Sequence, residues 1–81
     1  MTLTKARKSR ATEIDILVSE NLKARRLELG ITQSALANLA GISTQQIQKY
    51  EKNINRISSG RLFAFTKYLK VPITYFFEQN K

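Results

Sequence analysis

The sequence contains no cysteine, no histidine and no tryptophan. Without thiols or imidazoles there can be no disulfides, no Cys/His zinc site and no histidine acid–base chemistry. Acids are scarce as well, with six Asp/Glu against 14 Lys/Arg. Asp15, Glu20 and Glu28 read as charges on a helix surface, and no paired-carboxylate or phosphate-loop pattern is present. The expectation is therefore a protein that is not an enzyme and needs neither cofactor nor metal. No apolar run approaches the ~20 residues of a membrane span. The basic N-terminus has no apolar stretch behind it, so it does not read as a secretory signal. These absences point away from membranes and towards a soluble cytoplasmic or nucleoid-associated protein. With 81 residues the chain reads as one small domain. Such a chain buries only roughly 60–65% of the surface its unfolded form exposes, too little for a large enclosed pocket.

What the sequence does have is positive charge. The net charge of +8 is large for a domain of this size and implies a polyanionic partner. Lys5, Arg7, Lys8 and Arg10 give the first ten residues four bases and no acid. Lys49, Lys52, Arg56, Arg61, Lys67 and Lys70 form a second cluster around Glu51.

Apolar spacing predicts helices and nothing else. Residues 1–11 have little to bury and read as a flexible basic arm, leaving 12–81 as the folded domain. Thr12 and Asp15 can cap a first helix, along which Ile14, Leu17, Val18, Leu22 and Leu27 recur at helical spacing. Gly30 fits the left-handed position that follows a helix end. Thr32 suits the N-cap of a second helix over 33–40, and Gly41 supplies a tight turn. Ser43 caps a third helix over 44–52, with Gln46 completing a capping box. Asn53 tolerates left-handed geometry and can end that helix. Residues 54–57 read as a loop. Ser58 then caps a fourth helix over 59–69, with Leu62, Phe65 and Leu69 facing inward. Pro72 fits the first turn of a short fifth helix carrying Tyr75, Phe76 and Phe77. The predicted architecture is all-α, with five helices.

The most informative stretch is QSALANLAGISTQQIQKYE, residues 33–51. At about 100° per residue, Thr44, Gln45, Gln48 and Lys49 share one face of the third helix, and Ile47 and Tyr50 share the other. One side docks and the other is free. The free side carries hydroxyl, amide and ammonium groups that match the donors and acceptors of base edges in a DNA major groove. A helix that is merely solvated more often mixes Glu and Lys there. Helix two holds helix three in place: Leu36 and Ala40 line its inner face, Ala37 is small where the helices cross, and Ile42 plugs the core after Gly41. Gln33, at the positive end of helix two, is placed to bond a phosphate.

These residues resemble the helix-turn-helix of the Cro/lambda-repressor family, also called the xenobiotic-response-element type. The likeness covers about 18–77 and rests on ARRLELGITQ, LANLAGIS, QQIQKYEKNINRIS and a Leu-Lys-Val-Pro exit. It implies a compact lambda-repressor-like DNA-binding domain. It further implies a shielded pair between Arg26 and Glu51, base contact from Thr44, Gln45 and Lys49 with Gln48 flanking, and phosphate contact from Gln33, Ser43 and the loop residues Asn55, Arg56, Ser58 and Ser59. The family usually has glycine at the place of Asn53.

The implied function is a sequence-specific double-stranded DNA-binding transcriptional regulator, acting as a repressor. The basic arm is either a solvated tail or a further phosphate or minor-groove contact. Six of the seven aromatics follow residue 60. Tyr75, Phe76 and Phe77 point in successive directions, so at least one is expected to face outward. With Tyr68 they form a candidate dimer surface. A two-fold homodimer predicts a pseudo-palindromic operator. Two other readings remain at this point: an antitoxin-like protein whose aromatic end grips a toxin, and an adaptor that uses its basic surface on acidic proteins or RNA.

Overall fold

The computed structural model describes the backbone of residues 3–79 and the side chains of residues 12–79. Its helices are α1 (Leu3–Glu28), α2 (Gln33–Ala40), α3 (Thr44–Glu51) and α4 (Ser59–Leu69), followed by a 3-10 helix, Ile73–Phe77. No strand occurs among the described residues.

Three helix starts follow the capping pattern. The hydroxyls of Thr32, Ser43 and Ser58 accept from the amides of Ala35, Gln46 and Arg61 at 2.9, 3.1 and 3.1 Å. Each satisfies one of the donors a helix leaves open at its first turn. The capping box on α3 is only half made. Gln46 Nε2 donates to Asn55 Oδ1 at 3.2 Å and so ties α3 to the following loop.

All four α-helices end in one way. Gly30, Gly41, Asn53 and Lys70 have φ of 69°, 70°, 59° and 59°. The next amide in each case, of Ile31, Ile42, Ile54 and Val71, reaches back five residues to the carbonyls of Arg26, Ala37, Lys49 and Thr66. This is the Schellman arrangement, with an aliphatic residue directly after the left-handed one. Ile31, Ile42 and Val71 pack against the core, whereas Ile54 is exposed. At Lys70 the sequence shows no glycine or asparagine, and the left-handed residue there is the unexpected one of the four.

Two expectations change. The last element is a 3-10 turn and not a fifth α-helix, and Pro72 precedes it as its cap. A segment of five residues gains little from α-helix propagation after the costly first turn, so tertiary contacts decide its form. The buried amide of Asn21 in α1 also donates to the carbonyls of Tyr75, Phe76 and Glu78, at 3.2, 2.9 and 2.9 Å, which fixes the turn on α1. At the other end, α1 begins at Leu3 rather than near Thr12, so Thr12 and Asp15 do not cap it. The backbone of residues 3–11 of the expected flexible arm belongs to α1, and the side chains of residues 1–11, with their basic groups, lie outside the described residues.

The core joins Val18 and Leu22 of α1, Leu36 and Ala37 of α2, Ile47 and Tyr50 of α3, Leu62, Phe65 and Leu69 of α4, and Phe76. Tyr50 meets Phe65 edge to face, with ring centroids 6.1 Å apart. On α1 the buried stripe includes Ser19, Asn21 and Arg26, while Ile14 and Leu27 are exposed. Three core-facing positions are polar, so apolar spacing alone assigns two residues of that helix to the wrong side. None of the described helices is long and apolar enough to cross a membrane.

Candidate nucleic-acid interface

Helix α3 is split lengthwise. Ile47 and Tyr50 are 0% and 9% exposed, while Gln45, Gln48 and Lys49 are open to solvent and Thr44 is half-buried. The structure thus brings the four expected base-reading residues onto one outward face. The start of that face borders a cleft between α2 and α3, lined by Thr32, Ser34, Asn38, Ser43, Thr44 and Gln45. Its polar lining is hydroxyls and amides, beside the apolar Ala35, Ala37 and Ile42, with no acid among them. Two helix N-termini open beside it, and their partial positive charge favours an anion.

Beneath this face lies a polar network. Arg26 and Glu51 form a two-pronged pair, Nε to Oε2 at 2.6 Å and Nη2 to Oε1 at 3.1 Å, with both side chains almost fully buried. Arg26 Nη1 donates to the Ile31 carbonyl at 2.8 Å, which binds the end of α1 to the start of α2. Gln33 Nε2 donates to Glu51 Oε1 at 2.9 Å. Gln33 therefore belongs to the support of α3 in this structure, a bond its place at a helix start does not reveal.

The loop from α3 to α4 is held from behind. Asn55 accepts from Gln46, and Arg56 Nε donates to Asp15 of α1 at 2.9 Å. Ser43 and Ser58 use their oxygens as cap acceptors, which leaves each hydroxyl hydrogen free to point outward. Ser59 is an exposed first residue of α4.

The basic cluster divides into separate jobs. Arg61 Nη1 donates to the Ala40 carbonyl at 3.1 Å and closes the end of α2. Lys67 sits over the Phe63 ring at 4.9 Å. Lys49, Lys52 and Arg56 remain exposed on and after α3. Sequence reasoning treats Arg61 as surface charge and leaves Arg25 unassigned, although Arg25 Nε donates to the Leu69 carbonyl at 2.9 Å.

Among the expected dimer residues, Phe76 must be reassigned. It is fully buried, against α1 and edge-on to Tyr75, and is part of the core. Tyr68 and Tyr75 are half-buried, and Phe77 is the aromatic that faces outward. Among the described residues no group of three or more Asp or Glu gathers at metal-binding spacing.

Residues 22–76 match a family model described as helix-turn-helix. An uncharacterized HTH-type transcriptional regulator of Sinorhizobium medicae is 44% identical over 71 residues, which is 88% of this chain and 51% of that protein. An uncharacterized transcriptional regulator in the ATPase CF(0) region of Rhodospirillum rubrum is 48% identical over 64 residues, covering 79% of this chain and 59% of the relative. The chain spans about half the length of the curated relatives it matches. Among solved structures, the P22 c2 repressor protein, crystallised in complex with synthetic operator 9T in the presence of Tl+, aligns with a TM-score of 0.70 and 28% identity. That alignment covers 78% of this chain and 96% of the repressor chain.

Proposed function

The chain belongs to the helix-turn-helix family, and we propose that it is a sequence-specific, double-stranded DNA-binding transcriptional regulator that represses by occupying its operator. The observation that carries this reading is the division of α3, with buried Ile47 and Tyr50 on one side and exposed Gln45, Gln48 and Lys49 on the other. A helix built this way offers base-reading groups from a rigid, docked support. In this reading Gln45, Gln48, Lys49 and Thr44 read bases. Ser43, Asn55, Arg56, Ser58 and Ser59 contact phosphates, and Gln33 does so with the amide hydrogen that Glu51 does not hold. The names of the relatives and the operator in the P22 c2 repressor crystal support it. A cytoplasmic location goes with it.

The regulator acts as a homodimer. Phe77 and Ile73 are exposed at the C-terminal turn, with Tyr68 and Tyr75 half-buried beside them. A second copy covering this surface places two α3 helices about one DNA turn, ~34 Å, apart and calls for a pseudo-palindromic operator.

Fluorescence anisotropy tests the reading. Binding to duplex DNA should weaken steeply with salt and differ between sequences. Equal affinity for every duplex sequence, or a preference for RNA or single strands, would overturn it.

A further inference from the structure

We propose that Asp15 is a positioning residue for DNA binding, holding Arg56 so that its guanidinium meets a backbone phosphate. This rests on the phosphate role given to Arg56 above. Asp15 lies on α1 and Arg56 in the loop after α3, 41 residues later in the chain. Their contact uses one edge of the guanidinium only. Arg56 Nε donates to Asp15 Oδ2 at 2.9 Å, while among the described residues neither Nη group makes a hydrogen bond.

That division matters chemically. A guanidinium binds phosphate best with two donors side by side. Arg26 shows the opposite use, since all three of its nitrogens are spent inside the protein. Arg56 is 75% exposed, against 28% for Asp15. The acid is set back and the cation projects. An ion pair this open adds little to stability. What it does supply is restraint on a long side chain that otherwise loses several rotamers on binding.

The neighbouring residue is treated alike. Asn55 is held by Gln46 of α3 at 3.2 Å, with Asn55 Oδ1 as the acceptor. Two consecutive loop side chains are thus anchored from two different helices. Asp15 and Arg56 also line one small crevice with Asn53 and Tyr50, so the pair sits beside the end of α3. The loop is pre-set relative to the base-reading helix.

The test uses the full chain and a mixed-sequence duplex about two helical turns (~20 base pairs) long, with anisotropy read at low salt and at several salt concentrations. Arg56→Ala should weaken binding and lower the salt slope by about one. Asp15→Ala should weaken binding about two- to tenfold, the cost of ordering one free side chain. The double variant should bind no more weakly than Arg56→Ala alone, because Asp15 acts through Arg56. Asp15→Asn keeps an oxygen for Nε and removes a negative charge near the DNA, so it should bind at least as tightly as the parent. Circular dichroism melts should show all variants folded.

Tighter binding by Asp15→Ala would mean that the acid merely repels DNA, and the proposal would fall. It would fall equally if the two losses multiplied in the double variant, or if Asp15→Asn were as weak as Asp15→Ala. Should Arg56→Ala bind like the parent with the same slope, the phosphate role of Arg56 fails with it. If only Asp15→Ala is silent, the wider reading of the interface stands and the assignment of Asp15 is wrong.

Discussion

Arg26 and Glu51 meet fork to fork, at 2.6 and 3.1 Å, with both side chains almost fully out of solvent. Glu51 Oε1 also accepts from Gln33, and Arg26 also donates to Ile31. One ion pair therefore joins the end of α1, the start of α2 and the end of α3. Breaking it from one side strands a buried charge. Glu51→Leu should cost about 3–5 kcal/mol, a drop of more than ~10 °C in Tm at 4–8 °C per kcal/mol for a domain this small. Pairing it with Arg26→Met should recover most of that loss. Thermal and urea denaturation of the parent and the two variants measure it, and equal instability of the single and double variants would contradict the account.

Asn21 fixes the chain's last turn. Its side-chain amide donates to the carbonyls of Tyr75, Phe76 and Glu78. Asn21→Leu should leave those carbonyls without that partner and cost about 1–3 kcal/mol for each one left buried and unsatisfied. Hydrogen exchange should show lost protection at Tyr75 and Glu78, whose amides close the 3-10 turn, while α3 keeps its own. Uniform loss across the domain would show that Asn21 acts on the whole core.

Helix endings offer a stabilising change. Lys70 sits at φ 59°, where a Cβ is strained and glycine is not. Lys70→Gly should stabilise the chain by about 0.5–1 kcal/mol if relief of that strain exceeds the entropy glycine adds to the unfolded chain. Gly41→Ala should lose about 1–2 kcal/mol, the left-handed penalty alone, since a Cβ there meets nothing within 4 Å. Denaturation midpoints distinguish the two signs. A Gly41→Ala cost far above that range would point to a clash that the open space around Gly41 does not provide.

The proposed homodimer places the outward aromatic at its interface. Phe77 is 47% exposed beside exposed Ile73. In sedimentation equilibrium the parent should dimerise, and Phe77→Ser should shift it towards monomer with an unchanged melt. A parent that stays monomeric with and without DNA would remove the dimer from the account. Co-purification of an unrelated small protein would assign the same surface to a toxin-like partner.

Local chemistry made much of this legible in the chain. Thr32, Ser43 and Ser58 announce helix starts because short hydroxyls bond nearby amides, and Gly30, Gly41 and Asn53 announce helix ends because they accept positive φ. The docked and open sides of α3 follow from helical period alone. Lys70 was hidden because lysine seldom adopts that geometry; the aliphatic Val71 after it was the available signal. Asp15, Asn21 and Gln33 were hidden for another reason. Their partners lie 41, 54–57 and 18 residues away. No local pattern encodes such a partnership, so Asp15 reads from sequence as a surface charge or cap, Gln33 as a phosphate contact, and Asn21 draws no assignment. The composition of the C-terminal segment does not distinguish an α-helix from a 3-10 turn; the Asn21 clamp does.

Selection of duplexes from a random pool tests the central claim, that the open face of α3 reads bases. The parent should enrich one pseudo-palindromic sequence with half-sites about one helical turn (~34 Å) apart. Gln45→Ala and Lys49→Ala should each lose about 1–3 kcal/mol on that site while binding random duplex as the parent does. A pool that stays random after selection, or variants weakened equally on every sequence, would contradict it.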